Sequence, residues 1–330
     1  MIAAIRWDRN PITRAGVYAG VHIDDYHRHD VTIRPSVSSS GLRRIWNVDG
    51  TGSPAHFYAY WTGNPNHREG NSDLEWQVFG RATHWLLTGE AGFADQFVIR
   101  PDEITVEKIK DGKTAPVTYK WNANRNECRA WLRDHKAAGK TVITEEQFAT
   151  IKDMAIALGH HPLYRAGAME GDIERSLIWI DPETGVFCKA RPDVIPTDSG
   201  DVCDLKTCQS VSYPALQRSL ADHGYYRQAA WIADGLKIAA GIEMASFSLI
   251  FIEKRFPHCV RVVTLDPQDI ARGAEENLIA LRAFARCLDS GRWPGPGADH
   301  SDGEVLRLSD LQRERIDARL RFELPERHAA

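Results

Sequence analysis

The chain has 330 residues, 43% of them hydrophobic, and a formal net charge of -4. That size and apolar content suit one large domain or two small ones, and the acidic balance excludes a protein that coats DNA along its length through a broadly basic surface. No run approaches the roughly 18 uninterrupted apolar residues of a membrane span, and the opening residues lack the apolar core of a secretory leader, so a cytoplasmic protein with no membrane partner is expected.

Residues 1–36 read as strands and turns, punctuated by Gly16, Gly20 and Pro35. The hydroxyls of Ser38, Ser39 and Ser40 offer caps for a helix beginning near Gly41. Ser53-Pro54 predicts a second helix, since proline suits the first turn. Leu74 to Leu87 follows with Trp76, Phe79, Ala82 and Leu86 at helical spacing. Residues 107–140 are locally basic, carrying nine lysines and arginines from Lys108 to Lys140. The bland reading of that stretch is a solvated helix face, and the functional one is part of a phosphate-binding surface.

Thr144-Glu145-Glu146 caps an amphipathic helix whose apolar stripe is Phe148, Ile151, Met154, Ala155 and Leu158. Beyond Gly167 the period changes. Ser176–Ile180 and Val186–Arg191 are β-rich runs joined by Asp181-Pro182-Glu183-Thr184-Gly185, a hairpin signal. Asp201–Lys206 reads as a third strand. Helices are expected near 213–222 and 225–239, strands over 245–253 and 260–265, and a long helix over 269–290 ending at Gly291. The fold class is therefore α/β, a mixed core with a small sheet. Residues 1–297 are expected to form one domain, with a mainly helical part to about 166 and the core over 167–297. Residues 298–330 read as a charged tail with a helix near 308–322.

Asp193 follows Pro192 at the end of the second hairpin strand. Asp204 and Lys206 stand two apart on the next strand, so their side chains leave one face. A hairpin followed by a third strand can bring Asp193 beside that pair. Two carboxylates and an ammonium at one end of a sheet suit phosphodiester hydrolysis. Asp supplies hard oxygen ligands for Mg²⁺, the metal neutralises phosphate charge and acidifies water, and lysine can hold or deprotonate the attacking water. A lone D-x-K occurs by chance in a chain this long. Its context adds weight: Val202, Cys203 and Leu205 make the strand apolar, and charge buried there needs a reason.

Glu174, just before the hairpin, is a candidate third carboxylate. Gln228, on the helix after these strands, has an amide that can reach DNA or the site. Other features carry less. His84 is a lone helix histidine. His27-Arg28-His29 has strand-pair spacing but no acid placed to complete a metal site. His160-His161 sits at a helix end, where cations suit the dipole. Gly80-Arg81-Ala82-Thr83 lacks the ending of a phosphate loop. The six cysteines form no CxxC pair, which argues against a zinc ribbon and for free thiols.

Taken in order, these segments resemble the exodeoxyribonuclease VIII-like PD-(D/E)XK nucleases of phages and prophages. The likeness runs over residues 15–296: Gly16-Val17-Tyr18 to Asp25-Tyr26-His27, Val37 to Leu42, Gly80-Arg81-Ala82-Thr83-His84, Val142 to Pro162, Glu174, Asp181 to Gly185, Arg191-Pro192-Asp193, Asp204-Leu205-Lys206-Thr207, and Tyr225, Gln228, Ala230, Asp234 and Gly235. The resemblance implies a restriction-endonuclease-like core flanked by N-terminal helices. It implies Asp193, Asp204 and His84 at the metal, Lys206 as catalytic lysine, Glu174 as accessory acid, and Tyr225 with Gln228 toward DNA. A histidine ligand suits Mn²⁺ better than Mg²⁺, so both metals are expected to serve. It further implies a 5′-to-3′ exonuclease on duplex DNA ends, working as a homo-oligomeric ring and supplying single strands to an annealing recombinase. The lone late cysteine Cys287 argues against the iron–sulfur cluster of some such nucleases. One departure stands out, Ile232 where tyrosine is common.

Overall fold

The computed structural model describes residues 3–68, 74–110, 113–197, 199–298 and 301–324. Contacts divide the chain into two units, Met1–Trp293 and Pro294–Ala330.

In the first unit the chain opens with β1 (Ile5–Arg6), β2 (Gly16–Ala19), α1 (Ile23–His27) and β3 (Ser36–Val37). Ser38 precedes α2 (Ser39–Ile45), and the Ser53 hydroxyl caps α3 (Pro54–Tyr58), with proline in its first turn. Then come α4 (Glu75–Thr88), α5 (Phe93–Gln96), β4 (Phe97–Arg100), β5 (Glu103–Lys110), β6 (Lys113–Lys120), α6 (Asn126–Ala137) and β7 (Thr141–Thr144). A capping box between Thr144 and Gln147 starts α7 (Glu145–Gly159), and Ile151, Met154 and Leu158 form its buried stripe. The remainder runs α8 (Pro162–Arg165), β8 (Gly171–Ile173), β9 (Ser176–Ile180), β10 (Phe187–Ala190), β11 (Val194–Pro196), β12 (Asp201–Cys208), α9 (Tyr213–His223), α10 (Tyr225–Gly235), β13 (Ser246–Glu253), β14 (Val260–Thr264) and α11 (Pro267–Ser290). The second unit contains α12 (Asp310–Glu323), whose described side chains are all exposed.

Two sheets organise the core. One has the order β1-β2-β9-β10-β3, and the other is β12-β13-β14. The hairpin signal at 181–185 does form a turn: β9 and β10 pair antiparallel from Phe187↔Ile180 to Ala190↔Leu177. The third strand, however, does not extend that hairpin. β12 pairs parallel with β13 from Asp201↔Ser246 to Cys208↔Glu253, in the separate three-stranded sheet. The apolar faces explain this. Val202 joins the core cluster containing Trp179, Phe247 and Phe284, and Cys203 and Leu205 join the cluster of Ile143, Ile151 and Met154. A strand buried on both faces wants cover on both sides, as parallel strands receive.

Three expectations are corrected. The N-terminal part is not only helical, because β1, β2 and β3 complete the five-stranded sheet around the hairpin. The basic stretch is not one helix face. It begins as the antiparallel hairpin β5–β6, in register from Glu103↔Lys120 to Lys110↔Lys113, and only then becomes α6. The helix expected to reach 239 ends at Gly235 and continues as a wider π turn over Leu236–Ala240. Close packing coincides with that change, since a Cβ on Gly235 would lie 2.9 Å from the Trp179 ring.

Among the described residues no helix is long and apolar enough to cross a membrane. The six cysteines are free thiols.

Candidate active site

Asp204 and Lys206 leave the same face of β12, where Asp204 is buried at 1% exposure and Lys206 is half-buried. The Lys206 ammonium closes directly on Asp204 Oδ2, and Gln228 Nε2 on α10 donates to Asp204 Oδ1 at 2.9 Å. Lys206 also lies over the Tyr225 ring, 5.2 Å from its centroid. Thus α10 supplies both residues that the resemblance pointed toward DNA, and in the structure both brace the Asp204–Lys206 pair.

Asp193 sits at the bend between β10 and β11, also buried. The Leu205 amide donates to its Oδ2 at 2.6 Å, which ties the carboxylate to the back of β12. Its Oδ1 lies 2.8 Å from His84 Nε2 on α4. His84 Nδ1 in turn is 3.6 Å from Glu174 Oε1. Glu174, between β8 and β9, holds a left-handed backbone at φ 53°. A non-glycine residue in that region costs about 1–3 kcal/mol and persists where surroundings enforce it. Here its amide donates to the Asp193 carbonyl at 3.1 Å, and its carboxylate takes the Arg191 guanidinium.

Charge sets the protonation states. Burial alone would lower the His84 pKa, but the Asp193 charge and hydrogen bond, with Glu174, lift it to about 9. Burial raises Glu174 to about 7 despite Arg191. Asp204 is raised by burial and by the neighbouring Asp193 charge. Burial would lower Lys206, but Asp204 and Asp193 together hold it far above an ordinary lysine. Lys206 is therefore a charged donor at neutral pH.

The donor set fits a divalent cation. One ligand atom each from His84, Glu174 and Asp193 lie within 4.8 Å of one another, the one such group among the described residues. Buried Asp204 Oδ2 accepts no hydrogen bond of proper geometry, and the Lys206 ammonium lies against it. Carboxylates plus one imidazole are the ligands that Mg²⁺ and Mn²⁺ accept, and ligation would require His84 to give up its proton.

All seven residues singled out in the sequence meet at this place. The convergent ligand trio, though, includes Glu174, and Asp204 stands beside it in the grip of Lys206 and Gln228. Sequence reasoning passed over Arg191 and Glu90. Arg191 neutralises Glu174, approaches Glu90 Oε1 at 3.5 Å and donates to the Val21 carbonyl at 2.9 Å. The Arg191-Pro192-Asp193 run was the available signal for the first, and nothing local marks Glu90. The discounted histidines stay outside the cluster. His29 hydrogen-bonds Thr62, and His160 forms the end of α7.

A model of a PDDEXK-like domain of unknown function, DUF3799, matches residues 38–302. The chain belongs to this PD-(D/E)XK family. Membership makes it a nuclease by type and accounts for the acidic cluster of Glu174, Asp193 and Asp204, since such domains usually work with divalent metals. It does not single out the exodeoxyribonuclease VIII branch. No curated protein matches the sequence. Among solved structures, a chain from Eubacterium rectale provisionally named an exonuclease superposes with a TM-score of 0.54 at 11% identity, covering 89% of this chain and 98% of that one. At that identity the likeness concerns the fold, which is the restriction-endonuclease-like α/β arrangement.

Proposed function

We propose that this chain is a metal-dependent deoxyribonuclease that degrades duplex DNA from its ends in the 5′-to-3′ direction, leaving single strands for recombination. The observation that carries the hydrolytic part is the burial of Asp193 and Asp204, the first against His84, which reaches Glu174, and the second against half-buried Lys206. Two buried carboxylates side by side raise each other's free energy, and a purely structural cluster would gain by replacing them with apolar residues.

His84, Glu174 and Asp193 would hold Mg²⁺ or Mn²⁺, with Asp204 adjacent. When bound, the ion neutralises phosphate charge and makes water a better nucleophile. Lys206, kept charged by Asp204, donates to a phosphate oxygen or to the attacking water and stabilises negative charge as it develops. Being a strong cation, it acts as a donor, and proton removal from water falls to a carboxylate. Gln228 fixes Asp204 through Oδ1, leaving Oδ2 for Lys206. Arg191 balances Glu174, so the site tolerates a third acid.

End-dependence draws on charge. With a net charge of -4, the chain as a whole offers DNA little electrostatic attraction along its length. A ring of copies that threads a free end needs positive charge only inside. The ring, the polarity and an annealing partner rest on the resemblance to phage enzymes.

The test offers labelled linear and covalently closed circular duplexes, with an RNA arm, in Mg²⁺, Mn²⁺ or EDTA. End-dependent loss of linear DNA with circles spared is expected. Rapid linearisation of circles would replace the reading with an endonuclease, and DNA binding with no cleavage in either metal would mean a vestigial site.

A further inference from the structure

An open groove of about 1220 Å³ runs between α4 and α9, with the end of β12 as its floor. Thr207 and Tyr225 line its inner end. These residues adjoin Lys206, which precedes Thr207 in the chain and lies over the Tyr225 ring. The groove therefore leads away from the catalytic cluster. Along α4, Trp76, Gly80 and His84 recur every four residues and so follow one side of the helix.

Two features of that wall have no packing explanation. Trp76 is 62% exposed and stacks on no other ring among the described residues. A bare indole on a groove wall is a poor surface residue unless something covers it. Gly80 lies in the middle of α4, where glycine weakens a helix. A Cβ built there meets nothing within 4 Å, so no close approach demands glycine. What glycine does provide is an unobstructed wall between Trp76 and His84.

Charge fixes the kind of occupant. Arg218 and Lys254 line the same groove, and neither has an ion-pair partner among the described residues. Asp222 is the one carboxylate along its described lining. Cations that follow a backbone, together with an aromatic face, are what unpaired nucleic acid needs, because a base has a free face only outside the duplex stack.

Resting on the nuclease reading of the adjoining site, we propose that this groove takes one unpaired DNA strand, with a base stacked on Trp76 and the backbone passing over Gly80 toward His84. Two helical turns separate Trp76 from His84, about 12 Å along the axis. That is about three to four nucleotides at stacked spacing. The strand is thus separated from its complement before it reaches the carboxylates, and Trp76 is a positioning residue for it.

The experiment measures binding apart from cleavage. The whole chain in EDTA is titrated against a fluorescein-labelled oligo-dT of about 12 nucleotides, followed by anisotropy. Trp76→Ala should weaken binding roughly 5- to 100-fold, and Trp76→Phe should retain most of it. Replacing Arg218 and Lys254 together by Ala should reduce the slope of log affinity against log salt by about 1.4. Gly80→Leu should impair both oligo-dT binding and cleavage while leaving the melting temperature unchanged or higher, since leucine favours helix. The groove assignment is overturned if wild type does not bind oligo-dT, if Trp76→Ala binds it as wild type does, or if a blunt duplex loses as much affinity as oligo-dT. It is equally overturned if folded Gly80→Leu binds and cuts normally. Cleavage that persists alongside any of these leaves the nuclease reading intact. Trp76-dependent oligo-dT binding by a chain that cuts no DNA in Mg²⁺ or Mn²⁺ would sink that reading and keep the groove.

Discussion

Strand β12 and the hairpin β5–β6 both carry charged side chains on eight-residue strands, and they use them in opposite ways. In the hairpin, Lys108, Lys113 and Glu107 stand in solvent, and Thr105 and Thr118 pair across the ladder at 2.9 Å. On β12, Asp204 is sealed between two core clusters with Lys206 against it. Solvated charge is cheap and says little about function. Buried charge must be compensated by partners, and an ion pair in a core is seldom the most stable filling. The comparison therefore locates function on β12 through its energetic disadvantage, and it can be broken by substitution in either strand.

The largest effect is expected at the buried carboxylates. Asp204→Asn preserves an acceptor for Gln228 but removes the charge that faces Lys206. We expect cleavage to fall by about 10²–10³-fold or more, as when a main electrostatic stabiliser is lost. Asp193→Asn should do the same. Cleavage and thermal melting are measured together. Near wild-type cleavage by either variant would return β12 to the structural class.

Next is Lys206→Met. It should lose turnover on a similar scale while still binding Mn²⁺ in a calorimetric titration, because a protonated lysine offers no lone pair. Stability should also suffer. Leaving Asp204 buried without its cation costs about 3–5 kcal/mol, less whatever the carboxyl recovers by taking up a proton. A loss of Mn²⁺ affinity as large as that of Asp204→Asn would show that the ammonium organises the metal site rather than the substrate.

His84→Ala should follow, with Mn²⁺ affinity and cleavage both down at least tenfold to a hundredfold, on the order seen for groups that orient metal ligands. Asp193 and Glu174 would then lose the imidazole that bridges them. A variant with a lower melting temperature but full specific activity would make His84 a packing residue.

His84 also shows what a sequence can and cannot reveal. Asp193, Asp204 and Lys206 were legible because a hairpin signal, an apolar strand and a two-residue spacing all act locally. The capping box at Thr144 and the long α11 were legible for the same reason. His84 carries no local mark. It reaches Asp193 only because α4 packs against β12, and the resemblance rather than the pattern pointed to it. β1 and β3 are two residues each, too short to show a period, and their place in the five-stranded sheet is decided by partners far along the chain. The split of the core into two sheets was invisible likewise, because strand pairing depends on which faces find cover. The hairpin at 103–120 could have been read. Ile104 and Val106 alternate with Thr105 and Glu107, and Asp111-Gly112 is a strong two-residue turn signal, but the lysines around them mask that period as a run of charge.

That hairpin supplies the smallest and last expected effect. Lys108→Glu with Lys113→Glu reverses two charges on a ribbon whose described side chains are mostly exposed and none buried. Lys108 has a 3.9 Å approach to Glu127 and a place over the Tyr119 ring, 5.0 Å from its centroid. Both are surface contacts worth little in water, so the melting temperature should move by no more than about 0.5 kcal/mol implies. Cleavage of short linear duplexes at moderate salt should be unchanged, since the carboxylate cluster is built from other elements. Salt dependence is the sensitive readout. If the ribbon touches phosphates, each contact removed lowers the slope of log affinity against log salt by about 0.9 on duplex. An unchanged slope would mean that the basic stretch is solvated surface and that the strand-binding charge lies in the groove beside β12. A slope reduced by about two units, with the melting temperature preserved, would instead make the hairpin a second point of contact with DNA, and the contrast between the two strands would then be one of burial and not of function.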